Sequence, residues 1–591
     1  MKIGTRLVNM SVAAAVAGAL LGSLVPSINA SAAAVTQVNN NVPRLVNSAT
    51  FVGHHNPKAM LDIKVALSLQ NTAKLAAFMH DLHDPTSPSY HKYLTPKQFT
   101  ALYCPSAAQV KAVETFLAQR GIKVTGVSPN NTRIHGSAST AVVESALGVA
   151  INDYKGADGA TFYSASSDPS LPSTISGYVK AVMGLDNAVQ YQSHTVLKNA
   201  LSGPTPKGYS PQQIATAYQW PLGTAADQAH QLTDTALAAG VTIAIATAYS
   251  YRPADIQKFW STYKLPSHIL TNVAIDGATA RLEAETTLDI ERSSAMSPGS
   301  NIVVFEAFNP SDPVFDDMFL TIANDVTHNI KVMSTSWGEP ENESSPASLA
   351  AEHDDFVQLN SEGIAMLAAA GDNSASDGEA PGTDNADFPA SDPYVLASGG
   401  TQVALNADNS ISSEEAWSNS GGADSIYFAE TSDESNASSF APWTPNTSCS
   451  GDFQNTGSPN LGDDGCANTG DPSRQSSDMS MNGGPEFSYS VYFNGHWGEF
   501  YGTSFVAPEL AGLFAILVAE NGGNTVGSGP HIVFCNAQHT LGDDFNDIVS
   551  GGNGNGLSGA TFNAGLGWDH PTGWGTPIAK NFLNDAVANC M

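Results

Sequence analysis

At 591 residues the chain is too long for a single domain and can bury at least two cores. Its formal net charge of −32 is unevenly spread: residues 1–200 hold 15 Lys and Arg against 9 Asp and Glu, the remainder 9 against 47. A body so poor in bases argues against nucleic-acid binding, and five cysteines are too few for a disulfide scaffold.

The chain opens with Lys2 and Arg6, a mostly apolar run over 7–25, and small residues at Ala30, Ser31 and Ala32. This order predicts a secretory signal peptide over 1–32 and an extracellular product; an uncleaved anchor is the alternative. No later run offers the roughly 18 uninterrupted apolar residues of a membrane span, so no membrane contact is expected after signal removal. Residues 44–190 alternate helix-like and strand-like patterns. Leu75, Phe78, Met79 and Leu82 share one helix face; Val110, Val113 and Leu117 share another that ends at Gly121, with a strand-like run at 122–127. The module reads as α+β. A polar connector over 191–206 then leads to the acidic body, 207–591.

In the body, apolar runs at 241–246, 303–305, 331–336 and 364–370 with helical segments between them predict βαβ units and a parallel sheet. The active crevice of such a sheet lies at the carboxyl ends of its strands. The stretch 406–484, rich in Ser, Asn, Gly and Asp, reads as long surface loops. Four cysteines in an exported body suggest two bridges, most simply Cys449–Cys466 and Cys535–Cys590, although sequence alone leaves the pairing open. The mildly basic front and acidic body attract at neutral pH, and protonating carboxylates weakens that attraction. The other reading of the charge is a general adaptation to acidic surroundings.

The sharpest motif is Gly502-Thr503-Ser504-Phe505-Val506-Ala507-Pro508 ahead of an apolar helical run. A serine at a helix start exposes its hydroxyl and can aim its own N–H at a developing oxyanion. The G-T-S-x-x-x-P string resembles the nucleophile motif of subtilases; an ordinary capping serine is the alternative. A hydroxyl needs a base, and no subtilisin-type His is visible: His135-Gly136 lies in the front module, where a structural or surface role is expected. Glu285 and Asp289 stand one helical turn apart, so they would titrate as a coupled pair. A glutamate base suits acidic pH, where histidine is protonated; a solvated helix face is the plainer reading. Asp372, just past a buried strand, could donate a hydrogen bond if kept protonated, or simply make a turn.

Together these residues resemble the sedolisins, or serine-carboxyl peptidases, in particular their kumamolisin-like branch. The resemblance also rests on Ser87-Pro88-Ser89-Tyr90-His91-Lys92-Tyr93-Leu94-Thr95-Pro96 in the front module, and on Tyr209-Ser210-Pro211, Phe388-Pro389-Ala390-Ser391 and Ser398-Gly399-Gly400-Thr401 in the body. It implies an α/β, subtilisin-like catalytic domain with helices on both faces of a parallel sheet, preceded by a ferredoxin-like α+β activation prodomain. It implies Ser504 as nucleophile, Glu285 as base, Asp289 as its support, Asp372 in the oxyanion hole, and Ser336-Trp337-Gly338 as the strand that pairs with substrate. Protein or peptide substrates, the protein's own prodomain as inhibitor, cleavage in the connector, an acidic working environment and a monomer are the corresponding expectations. Calcium is expected near the C-terminus, held by Asp547, Asp569 and the carbonyls of Ile548, Gly565 and Gly567, a set of hard oxygens. The sequence departs from the branch at Thr247, where a glutamate is usual, and at Tyr501, where a glycine is usual; Glu283 is a rival to Glu285. A tripeptidyl-peptidase on the same fold and a catalytically dead, calcium-stabilised binding protein are the alternatives.

Overall fold

Runs of apolar residues without polar alternation are satisfied by strands buried on both faces, and such strands form the centre of the body in the computed structural model. The structure describes residues 35–591 apart from 158, 200, 202, 222–231, 233, 278, 379–384, 432, 434–472, 541 and 555–561. The signal-like segment and the Cys449–Cys466 pair fall outside the described residues. Cys535 and Cys590 are bonded.

In the front module, β1 (Met60–Leu67) leads through helices α1 (Thr72–His83) and α2 (Ala107–Gln119) to β2 (Lys123–Val127) and β3 (Arg133–Ser139). Helix α3 (Thr140–Leu147) and β4 (Val179–Met183) follow. The sheet order β2-β3-β1-β4, antiparallel throughout, is the ferredoxin-like arrangement. Helix α1 buries Leu75, Met79 and Leu82, and α2 begins at a capping box of Ser106 and Gln109. The connector is not a loose polar link. It carries two short strands, β5 (Gln192–Ser193) and β6 (Val196–Leu197), both paired with the body.

The body sheet is built from β7 (Thr242–Ala248), β8 (Ile269–Ile275), β9 (Asn301–Ala307), β10 (Ile330–Thr335), β12 (Ala365–Ala369), β13 (Val395–Leu405) and β14 (Ile411–Ala416). A short strand, β11 (Trp337–Pro340), lies outside it. The order is β8-β9-β7-β10-β12-β13-β14, with β15 (Met479–Asn482) also on β13. Every pairing is parallel except β13 with β14. Helices α4 (Ala284–Met296) and α7 (Val506–Glu520) cover one face, while α5 (Asp312–Ala323) and α6 (Pro346–Ser361) cover the other. A hairpin of β16 (Tyr489–Phe493) and β17 (His496–Tyr501) delivers the chain to α7.

The expectation of surface loops over 406–484 is corrected in its described parts. Residues 411–416, 424–429, 473–475 and 479–482 are strands, and Met479 and Met481 are fully buried. Small polar side chains there find internal partners, so their polarity does not force exposure. Asp478 accepts from the Ala397 N–H at 2.8 Å, and Asn482 accepts from the Val403 N–H at 3.1 Å.

The front module sits on α5 and α6. Ala66, Ala181 and Met183 pack on Ala347 and Ala351, and its cations meet the body's carboxylates. Arg133 is fully buried; its Nη2 lies 2.6 Å from Asp316 and 3.0 Å from Asp355. Lys64 reaches Asp317 and Lys180 reaches Asp354, each at 2.5 Å. His135 lies 3.6 Å from Asp317 in the same interface.

Candidate active site

Gly502, at φ 139°, turns the chain from β17 into the short turn Thr503–Phe505 that opens α7. Ser504 stands in that turn, and α4 lies beside α7 with Glu285 in its own first turn. The two helix starts therefore meet: the Ser504 hydroxyl donates to Glu285 Oε2 at 2.9 Å. Asp289, one turn along α4, accepts from the Ser336 hydroxyl at 2.7 Å. Glu285 Oε1 and Asp289 Oδ2 are buried without another hydrogen-bond partner. Burial raises both carboxyls, Asp289 to about 8, and the neighbouring Asp289 adds to the rise of Glu285. The pair holds a proton where isolated acids would not.

Glu283 is not part of this contact. It caps its own helix at Ala284 N–H and pairs with Arg281. Thr247, at the end of β7, takes the Trp337 indole N–H at 2.9 Å and shares a hydrogen bond with Thr286 at 3.0 Å. The end of β7 thus meets the start of α4 through hydroxyls, where a glutamate at position 247 would place a third carboxylate.

Asp372 follows β12 and is anchored by one oxygen. The Thr503 N–H and hydroxyl both donate to Oδ1 at 2.8 Å, and Oδ2 is buried without a partner. Burial pushes this carboxyl up to about 7. A Cβ at Gly502 would collide with both Asp372 Oδ2 and the His194 carbonyl oxygen, so these two oxygens converge on one spot.

That carbonyl belongs to the connector, which runs through the cleft as an extended strand. The Ser504 N–H donates to the His194 carbonyl at 3.3 Å, and the His194 N–H donates to the Ser336 carbonyl at 3.1 Å. Upstream, Ser193 pairs with Trp337 and Gln192 with Gly338. Tyr191 is buried, its ring stacked on Phe315 at 4.1 Å and its hydroxyl donating to Glu352 at 2.6 Å. Downstream, Val196 pairs with Tyr501 and Leu197 with Phe500. Ser336, Trp337 and Gly338 are thus brought to the strand-pairing edge, and Tyr501 lies on the downstream wall, edge-on to Trp417.

Three participants, His194, Asp387 and Asp377, were not singled out by sequence. His194 projects its ring into a buried acidic pocket, with Nε2 3.0 Å from Asp387 Oδ2, in ion-pair range. Asp377 lies close enough to Asp387 for the two carboxyls to repel, and burial holds both well above the usual range. A side chain at Gly338 would fill the passage, since its Cβ would strike Asp387 and stand 2.7 Å from His194 Nε2. Asp387 immediately precedes the Phe388-Pro389-Ala390-Ser391 string, so that motif was its only sequence signal.

Of the expected calcium set, Asp547 Oδ2 accepts from Gly567 N–H at 3.0 Å and Asp569 Oδ2 from Gly565 N–H at 2.9 Å. Burial, with Asp547 adding to it, raises Asp569 to about 7. Two carboxyls crowded on one loop are a charge pattern that a hard cation relieves, so the residues fit. Among the described residues no three His, Cys, Asp or Glu side chains gather as a metal site, so backbone carbonyls would have to complete the shell.

Residues 47–188 match the pro-kumamolisin activation domain and residues 276–575 the subtilase family. The chain is 28% identical to kumamolisin of Bacillus sp. (strain MN-32), covering 92% of this chain and 93% of the relative. It is 24% identical to tripeptidyl-peptidase 1 of Rattus norvegicus, over 90% and 93% respectively. Among solved structures, Pseudomonas sedolisin, a serine-carboxyl proteinase, shares the fold with a TM-score of 0.53 at 23% identity, covering 66% of this chain and all of that one. The chain belongs to the subtilase family, as a serine-carboxyl peptidase of the sedolisin and kumamolisin kind made as a proenzyme with its own activation domain.

Proposed function

We propose that the protein is a secreted, acid-acting endopeptidase that first cuts its own connector at His194–Thr195. The observation that carries this reading is the His194 carbonyl resting on the Ser504 N–H beside a hydroxyl already hydrogen-bonded to Glu285. In the proposed reaction Ser504 Oγ attacks the carbonyl carbon and its proton passes to Glu285. The negative oxygen is held by the Ser504 N–H and by a proton on Asp372 Oδ2. Glu285 then protonates the leaving amine. Water enters by the same base and releases the acyl group, returning Ser504 to its hydroxyl form. Asp289 keeps Glu285 oriented, and Ser336, Trp337 and Gly338 hold the substrate backbone.

Acid action follows from proton placement. Asp372 must be protonated to donate, and its raised value of about 7 provides for this only below neutrality. Endopeptidase action, rather than release of tripeptides, is favoured by the path upstream of the bond. The chain continues past Gln192 into a pocket of the body itself, where Tyr191 packs on Phe315. A site that captures an amino terminus three residues from the bond would be closed at that point. The pocket of Asp387 and Asp377 favours a cationic residue, Arg, Lys or protonated His, immediately before the cleaved bond.

We also propose calcium at Asp547, Ile548, Gly565, Gly567 and Asp569, where the ion would neutralise the crowded carboxyls and stiffen the loop. Chelation should lower the thermal midpoint, and an unchanged midpoint removes the proposal. The mature enzyme is proposed to be an extracellular monomer, checked by its sedimentation. The deciding experiment acidifies full-length protein and its Ser504→Ala variant and sequences the new amino terminus. A terminus at Thr195 in the wild type alone is expected; no cleavage at any acidic pH refutes the reading.

A further inference from the structure

After the connector leaves, β17 becomes the edge of its sheet, because the order is β6-β17-β16. An edge strand with a rigid base is a template for an added strand. Here the base is firm: Trp497 is buried against Phe259, Tyr263 and Tyr492. The connector uses this edge well beyond the residues next to the bond. Val196 and Leu197 pair with Tyr501 and Phe500, the Lys198 N–H donates to the Glu499 carbonyl at 2.9 Å, and the Trp497 N–H donates to the Gly203 carbonyl at 3.3 Å.

Gly498 lies in the middle of this edge, and its backbone does not adopt the left-handed conformation that would call for glycine. What it supplies is space. A Cβ there would stand 2.5 Å from Leu201 Cδ2, 2.6 Å from Phe500 Cε2 and 3.4 Å from Leu197 Cδ1. Two leucines of the connector thus cover a notch that the missing side chain leaves beside Phe500. Leu201 also packs against the main core of the body.

We infer that β17 is a specificity surface for the leaving side of the substrate. It takes the segment after the cleaved bond as an antiparallel strand, and the Gly498–Phe500 notch selects aliphatic side chains within the first seven residues of that segment. The inference rests on the proposed cleavage at His194–Thr195, which sets the register. The enzyme would therefore act on extended, unfolded stretches rather than on short peptides, since much of its grip lies beyond the bond.

The test uses synthetic peptides of the connector with the activated enzyme at acidic pH. One peptide spans residues 189–196, one spans 189–205, and a third is the long peptide with Leu197 and Leu201 replaced by Ser. The long peptide should be cut with a kcat/KM about tenfold above the short one, and the double replacement should return it to the short one's level. A Gly498→Val variant should lose the advantage of the long peptide over the short one. Equal rates for all three peptides with the wild type overturn the inference and leave the peptidase reading intact. No cleavage of any peptide overturns the proposed cut at His194–Thr195, and the notch with it. The peptide series needs only the wild type, so a poorly folding variant does not weaken the test.

Discussion

The carboxyls of the cleft and those beneath the prodomain are alike in burial and opposite in company. Among the described residues no lysine or arginine reaches Glu285, Asp289, Asp377 or Asp387, and burial raises all four. Burial would raise Asp316 as well, but Arg133 and Lys64 more than offset it, so its carboxyl sits below the usual range. Asp317, where burial outweighs Lys64, is instead raised to about 8. Burial by itself therefore does not decide whether an acid keeps its proton; the balance between burial and the cations around it does, and of these acids only Asp316, flanked by both Arg133 and Lys64, is tipped toward the charged form.

Raised and lowered carboxyls respond to acid with opposite sign. A raised carboxyl stabilises the fold below its unfolded value, near 4, and that contribution is lost as pH rises through the folded value. The cleft is accordingly complete in acid and falls apart electrostatically toward pH 7 to 8. A lowered carboxyl contributes above its unfolded value and loses its contribution as pH falls through the folded value, so the Asp316 contact loosens only in strong acid. The histidines of the same interface act earlier. His83, stacked on His531 with His80, His91 and Asp433 near it, is lowered to about 3 chiefly by burial, and His91 to about 4. Their contribution holds above pH 6.5 and fades as pH drops toward those values. Acid thus weakens the lid while it completes the site.

The largest expected effect breaks the cleft side of this contrast. Glu285→Gln removes the base and should lower kcat by about 10⁴-fold or more, with self-processing lost on the same gel. Asp372 offers a sharper test. Asp372→Ala should cost about 10²–10³ in kcat. Asp372→Asn keeps a donor at every pH, so its alkaline limb should move up from about 7 toward about 8, where Asp289 loses its proton. An unmoved limb would show that Asp372 does not act through its proton.

On the prodomain side, Arg133→Met strands Asp316 and Asp355 without their cation. It should weaken the hold of the prodomain by about 3–5 kcal/mol, so processing begins at higher pH while the mature enzyme keeps its kcat. The smallest expected effect comes from His83→Phe, which removes one proton-linked contact. Its processing midpoint should fall by up to about one pH unit. A midpoint that does not move in either variant would separate activation from this interface altogether.

How much of this was legible in the chain differs residue by residue. The four-residue spacing of Glu285 and Asp289 places them on one helix face by geometry alone, and the G-T-S string marks Ser504 by its need for a glycine turn before a helix. The strands at 242–248, 301–307, 330–335 and 365–369 follow from apolar runs whose burial is obligatory. The strands within 406–484 were hidden because buried small polar residues carry the same composition as loops. Asp387 and Asp377 were illegible for another reason: an acid that sits beside a substrate side chain looks like any other acid until the chain is folded around it.

By itself, then, the sequence determined the layers, the helix starts and the chemical types at the centre, because these depend on local spacing and on which side chains water rejects. Which carboxyls keep their protons, which connector carbonyl meets the Ser504 N–H, and which edge is open after cleavage were decided only by the tertiary structure. Those outcomes depend on distances between segments far apart in the chain, where a shift of one residue would put a different side chain in the pocket.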